Sequence, residues 1–136
     1  CGNDFAIVDY EEYKKTGLEL SDFAKKIPWN AKGHSFITAA NLDIDSNKIN
    51  ALGYKNNNYY FVWFYDSKFT FTTRKESIVE NVNINLVLEN GIYEYYWLDC
   101  WTGEKVEGNI VEIKDGKIKI KMPLWKRDIT FVIYKN

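Results

Sequence analysis

The spacing of apolar residues along this chain changes period once. In residues 17–28, GLELSDFAKKIP, Leu20, Phe23, Ala24 and Ile27 recur at i, i+3, i+4 and i+7, the buried stripe of a short helix. Pro28 ends that helix, and Thr16 or Ser21 can cap it. After Trp29 the period shortens to two. SFITAAN, KINALGY, NYYFVWFYD, SIVENVNINLVL, GIYEYYWLD, EGNIVEIKDG, KIKIKMP and RDITFVIYKN are short runs rich in β-branched and aromatic residues. Asn, Gly, Asp and Pro punctuate them at intervals of roughly 10 residues, as in sandwiches and barrels. The pattern predicts an all-β fold: an antiparallel two-sheet β-sandwich of about eight strands over residues 31–136. A lead-in over residues 1–30 would carry the short N-terminal helix. Asp115-Gly116 in KDGK predicts a two-residue hairpin turn.

The faces of these strands differ. In KIKIKMP, Ile118, Ile120 and Met122 point one way and Lys117, Lys119 and Lys121 the other, so one face is wet. In NYYFVWFYD, Tyr59, Phe61, Trp63 and Tyr65 share one side and Tyr60, Val62 and Phe64 the other; both are apolar. In GIYEYYWLD, Tyr93, Tyr95 and Trp97 alternate with Ile92, Tyr96 and Leu98. A strand in a plain sandwich hides only one face. The second must be covered by the N-terminal helix, a ligand or another domain.

Composition sharpens this picture in one respect. The chain holds 5 Trp, 10 Tyr and 8 Phe, rings that fill cores but also stack on flat apolar ligands. With 136 residues, 46% hydrophobic and 27% charged, it is long enough for one domain with its own core. A net charge of −1 offers no electrostatic case for nucleic acid or an anionic membrane surface. Apolar runs long enough to span a bilayer are absent. Cys1 and Cys100 are too few for a disulfide framework.

Catalytic and metal motifs are sparse. His34, beside Ser35 in KGHSF, reads as a loop residue, because adjacent strand residues face opposite sides and no triad forms. One His and two distant Cys do not make a zinc site. Asp43, Asp45 and Asn47 match the first three ligands of a calcium loop. Lys48 then replaces its glycine and Tyr54 its closing glutamate. A polar turn is the stronger reading; a looser calcium site that borrows backbone carbonyls is the alternative, and no other cofactor is implied. Asp99 is expected to hold the turn CWTGE by accepting backbone N–H bonds. Asp128 is expected to be structural, paired with Arg127 or capping the start of a strand.

KINALGYKNNNYYFVWFYDSKFT, VNINLVLENGIYEYYWLDCWTGEKVEG and KIKIKMPLWKRDITFVIYKN together resemble the C-terminal β-sandwich that follows the catalytic barrel in bacterial glycoside hydrolases. The matching features are Trp63 to Asp66, Gly91 to Tyr93, Trp97 with Asp99, Thr102-Gly103, and Pro123 with Arg127-Asp128. Asp66 stands where the family has Asn, and Cys100 interrupts the aspartate turn. The resemblance implies a non-catalytic accessory domain of a secreted or cell-surface polysaccharide-degrading enzyme. Its partners would be polysaccharide and the catalytic barrel of the same polypeptide. The family's catalytic carboxylates lie in the barrel, so no catalytic residue is carried over.

Within such a domain, rings at turns and strand ends are the candidates for stacking on sugar. They are Trp101 in the turn, Trp125 in PLWKR, Trp29 at the helix exit, and Tyr60. A stand-alone carbohydrate-binding module is an alternative. So is a lipid-anchored surface protein, which the opening CGND would suit, although DFAIVDYEEY turns apolar at once.

Overall fold

A computed structural model describes residues 33, 35–69 and 76–136. The expected helix over residues 17–28, and the lead-in that would carry it, lie outside the described residues. In chain order the strands are β1 (Ser35–Thr38), β2 (Asp43–Ile44), β3 (Ile49–Lys55), β4 (Tyr59–Asp66), β5 (Ile78–Val79) and β6 (Asn83–Val87). They continue with β7 (Gly91–Asp99), β8 (Lys105–Ile113), β9 (Lys117–Lys121), β10 (Trp125–Lys126) and β11 (Asp128–Lys135). Every run read as a strand in the sequence contains one. The additional elements are two-residue strands, β2 and β10, and a break that separates β5 from β6.

The strands pair antiparallel in three sheets: β1-β3-β4-β11-β7-β8, β2-β6-β9 and β10-β5. The six-stranded sheet is one layer. One continuous core joins its inner face to residues of both smaller sheets. From the large sheet come Ile37, Val62, Phe64, Tyr93, Trp97, Phe131 and Ile133; facing them are Ile84, Leu86, Ile120 and Trp125. Trp97 packs against Phe131 with ring centroids 4.5 Å apart and against Phe64 at 6.0 Å. Tyr93 and Trp97 are thus interior packing, and Tyr95 on the same face is partly buried against the same core. Ile120 in β9 and Met122 just after it are buried, and the β9 lysines face water.

The expected KDGK hairpin does not form. Gly116 does take a positive φ of 75°, but β8 pairs with β7 while β9 pairs with β6. The turn carries the chain from one layer to the other. Its geometry is held by Leu88 N–H donating to the Gly116 carbonyl and Gly116 N–H donating to Asn90 Oδ1. A positive-φ glycine specifies a sharp reversal, and not which strand the chain meets afterwards.

The outer face of the large sheet is also apolar. Cross-strand register lines up Phe36, Tyr54, Phe61, Val132 and Tyr96 in one row, and Thr38, Leu52, Trp63, Thr130 and Leu98 in the next. Tyr59, Tyr96 and Val132 form a second buried cluster on that side. Phe36, Leu52, Tyr54 and Trp63 remain exposed around it.

Candidate functional site

At one end of the large sheet, the end of β4, the β7–β8 turn and the start of β11 converge on Asp128. Because β11 lies between β4 and β7, Asp128 sits opposite Tyr65, and Thr130 sits between Trp63 and Leu98. Trp63 donates its indole N–H to Asp128 Oδ2 at 3.1 Å. Trp101 donates its own to Asp128 Oδ1 at 2.9 Å. One carboxylate therefore holds two tryptophans by their edges.

Trp101 is also fixed through its backbone. Asp99 Oδ1 accepts the N–H groups of Trp101 at 2.7 Å and of Thr102 at 3.0 Å, the role its position in the sequence predicts. Gly103, at φ 70°, donates to the Asp99 carbonyl and closes the turn. The Arg127 guanidinium lies 3.7 Å from the centre of the Trp101 ring. Its Nε is 3.3 Å from Glu76 Oε1. Arg127 adopts φ 64°, a conformation a side chain with a Cβ rarely takes; hydrogen bonding of its carbonyl by the Asp66 N–H helps hold it there. Trp63 is backed in turn by Tyr65, stacked at 4.7 Å. Each indole thus has one side supported. Trp101 is still 57% exposed and Trp63 37%.

Burial raises the Asp128 carboxyl above the ordinary aspartate range, against the two indole hydrogen bonds and the Arg127 charge, which favour ionisation. Neighbouring Cys100 is pushed up to about 12 by burial, and its Sγ lies 3.2 Å from Thr130 Oγ1. The site offers flat ring surface beside a carboxylate whose oxygens each accept one indole bond and keep further acceptor capacity. That is equipment for holding a ligand.

Of the four rings singled out in the sequence, Trp101 is at this site and Trp29 lies outside the described residues, as does His34. Trp125 is a correction. Pairing of β10 with β5 sets it opposite Val79, and it is a core residue, 5% exposed. Tyr60 is another. It belongs to the inner face of β4, is 3% exposed, and donates its hydroxyl to the Val87 carbonyl at 3.1 Å. Neither presents a ring to a ligand.

Asp45, from the calcium candidate Asp43, Asp45 and Asn47, accepts from the backbone N–H and the side-chain amide of Asn83 at 2.6 and 2.8 Å. Among the described residues no group of three or more His, Cys, Asp or Glu side chains is arranged to hold a metal ion. Asp45 also borders a cleft of about 780 Å³ with Lys48, Asp66, Ser77 and Asn81. Asp66 there accepts from the Lys68 N–H and the Ser77 hydroxyl.

Sequence reasoning missed Trp63, Tyr65 and Arg127 as site residues and read Asp128 as structural alone. A signal existed in the aromatic outer face of β4, but only the register of β11 brings a carboxylate to it. None of the protein-family models, characterised proteins or solved structures compared with this chain matches it. Fold and site define it as an antiparallel β-sandwich with an aromatic-carboxylate surface site. Among the described residues no helix is long and apolar enough to cross a membrane.

Proposed function

We propose that this chain is a non-catalytic accessory β-sandwich of a polysaccharide-degrading glycoside hydrolase, and that it holds carbohydrate on Trp101 and Trp63. The observation that carries the reading is the state of Trp101: its ring is largely exposed while its backbone and its indole N–H are both pinned. An exposed ring held in place loses little freedom when a ligand stacks on it. Sugar rings offer apolar C–H faces for the indoles and hydroxyls for the remaining acceptor capacity of Asp128.

The apolar outer face supports the other half of the proposal. Phe36 is 59% exposed, and Tyr54 and Leu52 extend the same surface. A catalytic barrel of the same polypeptide is the partner this surface would meet. Such an enzyme acts outside the cell or on its surface.

Affinity electrophoresis in gels cast with soluble glucan, mannan or xylan tests the binding half. Retardation of the wild type, lost in Trp101→Ala, is expected; equal mobility in every gel would remove the carbohydrate reading. Hydrolysis of an aryl glycoside by this chain alone would remove the non-catalytic assignment.

A further inference from the structure

Resting on that carbohydrate reading, we infer that the site selects uncharged glycan chains and discriminates against polyuronates, because its two ring platforms are gathered around carboxylates. Asp128 sits at the edge of both indoles, within 2.9 and 3.1 Å of their nitrogens. Asp99 lies beneath the Trp101 turn, bonded to the backbone of Trp101 and Thr102. Glu76 lies on the Arg127 side of that ring. A sugar stacked on the other face of Trp101 has the Asp128 carboxylate at the ring edge, beside its substituents. Its hydroxyls can donate to that carboxylate; a uronate carboxylate has no proton to donate and carries the same charge.

Arg127 is the nearby cation that would have to reverse this preference, and its geometry argues against that role. Its guanidinium is stacked on the Trp101 ring at 3.7 Å, and its Nε faces Glu76 at 3.3 Å. Its charge is already answered by one carboxylate and one ring face. Its Nε edge is turned toward Glu76, so the two-bond clamp that uses Nε is not open to an incoming carboxylate. Its arrangement suits a support behind Trp101, leaving the opposite ring face for the ligand.

The test is affinity electrophoresis of the wild type and Trp101→Ala in matched gels of a neutral galactomannan, a neutral xyloglucan and polygalacturonate, at low and high salt. A non-binding reference protein runs in each lane. Near-UV circular dichroism confirms that the variant keeps its fold. Retardation severalfold stronger in a neutral gel than in polygalacturonate, little changed by salt and lost in Trp101→Ala, is the expected result. Trp101-dependent retardation by polygalacturonate equal to that in the neutral gels would overturn the charge selection and leave the carbohydrate reading standing. Mobility unchanged in all three gels would overturn both. Retardation identical in wild type and variant would place any sugar contact elsewhere and overturn the inference along with this site.

Discussion

Trp63 and Trp101 donate their indole N–H groups to opposite oxygens of one carboxylate, Asp128, at 3.1 and 2.9 Å. One ring belongs to the middle of a sheet and the other to a turn, so Asp128 links two separate elements of the fold. The strand fixes Trp63; the carboxylate passes that order to Trp101. This coupling makes the site sensitive to a residue that presents no ring of its own.

Replacing Asp128 should therefore loosen Trp101 more than it weakens the fold. Asp128→Ala removes two hydrogen bonds to a charged acceptor, but both indoles can turn to water. The expected loss of stability is about 1–2 kcal/mol in urea unfolding. Iodide quenching of tryptophan fluorescence should rise at the same time. Asp128→Asn keeps one acceptor oxygen for two donors and should fall between. Unchanged quenching in the alanine variant would show that the carboxylate does not restrain the ring.

Trp97 should behave in the opposite way. It is fully buried between Phe64 and Phe131, so Trp97→Ala should cost about 3–5 kcal/mol. Its indole N–H is buried with no acceptor among the described residues. Trp97→Phe gives up no hydrogen bond there and should recover a large part of the loss. Equal destabilisation by both variants would contradict the packing described for this ring.

Two aspartates should titrate in opposite directions from the ordinary value of 3.8. Burial raises Asp128, so its contribution to stability is complete below that value and is lost as pH rises through its raised midpoint. Asp45 is lowered, first by the Asn83 side-chain bond and then by the Asn83 backbone. Its contribution is present above the ordinary value and is lost as pH falls through the depressed midpoint. Carboxyl carbon NMR should resolve both, and the indole N–H signals of Trp63 and Trp101 should move with Asp128 and not with Asp45.

Gly53 should not tolerate a side chain. It pairs with Val62 across β3 and β4, and a Cβ built there would collide with the Phe61 carbonyl oxygen. Backbone cannot give way as a flexible side chain would. Gly53→Ala should destabilise by at least the ~1–3 kcal/mol typical of overpacking, measured by thermal or urea unfolding. A variant as stable as the wild type would mean that the two strands separate there without penalty.

Cys100 should resist alkylation. Its thiol is raised to about 12, chiefly by burial, so thiolate is scarce near neutral pH. Iodoacetamide at pH 8 should label it far more slowly than a small-molecule thiol, and urea should restore the rate. Labelling at the free-thiol rate in the folded protein would show that the thiol is not shielded.

The local part of this architecture was legible in the chain itself. Alternation follows from the pleat of a strand, so Ile120 and Met122 could be placed inside without knowing any partner strand, whereas in GIYEYYWLD it showed only that Tyr93, Tyr95 and Trp97 share a face. Asp99 could be assigned to its turn because a short carboxylate reaches N–H groups two and three residues on. Register between distant strands has no comparable local signature. Trp125 and Trp101 look equally suited to a surface site in sequence, yet pairing with Val79 buries the first and the Asp99 turn exposes the second. KDGK looks like a hairpin, yet it leads into another sheet. Asp128 finds two indoles only because β11 is inserted between β4 and β7. The sequence determined which residues form strands and which side chains share a face, since both are set by neighbours along the backbone. The tertiary structure alone decided which apolar faces were covered and which carboxylate met which rings, because those contacts depend on how far-separated strands align.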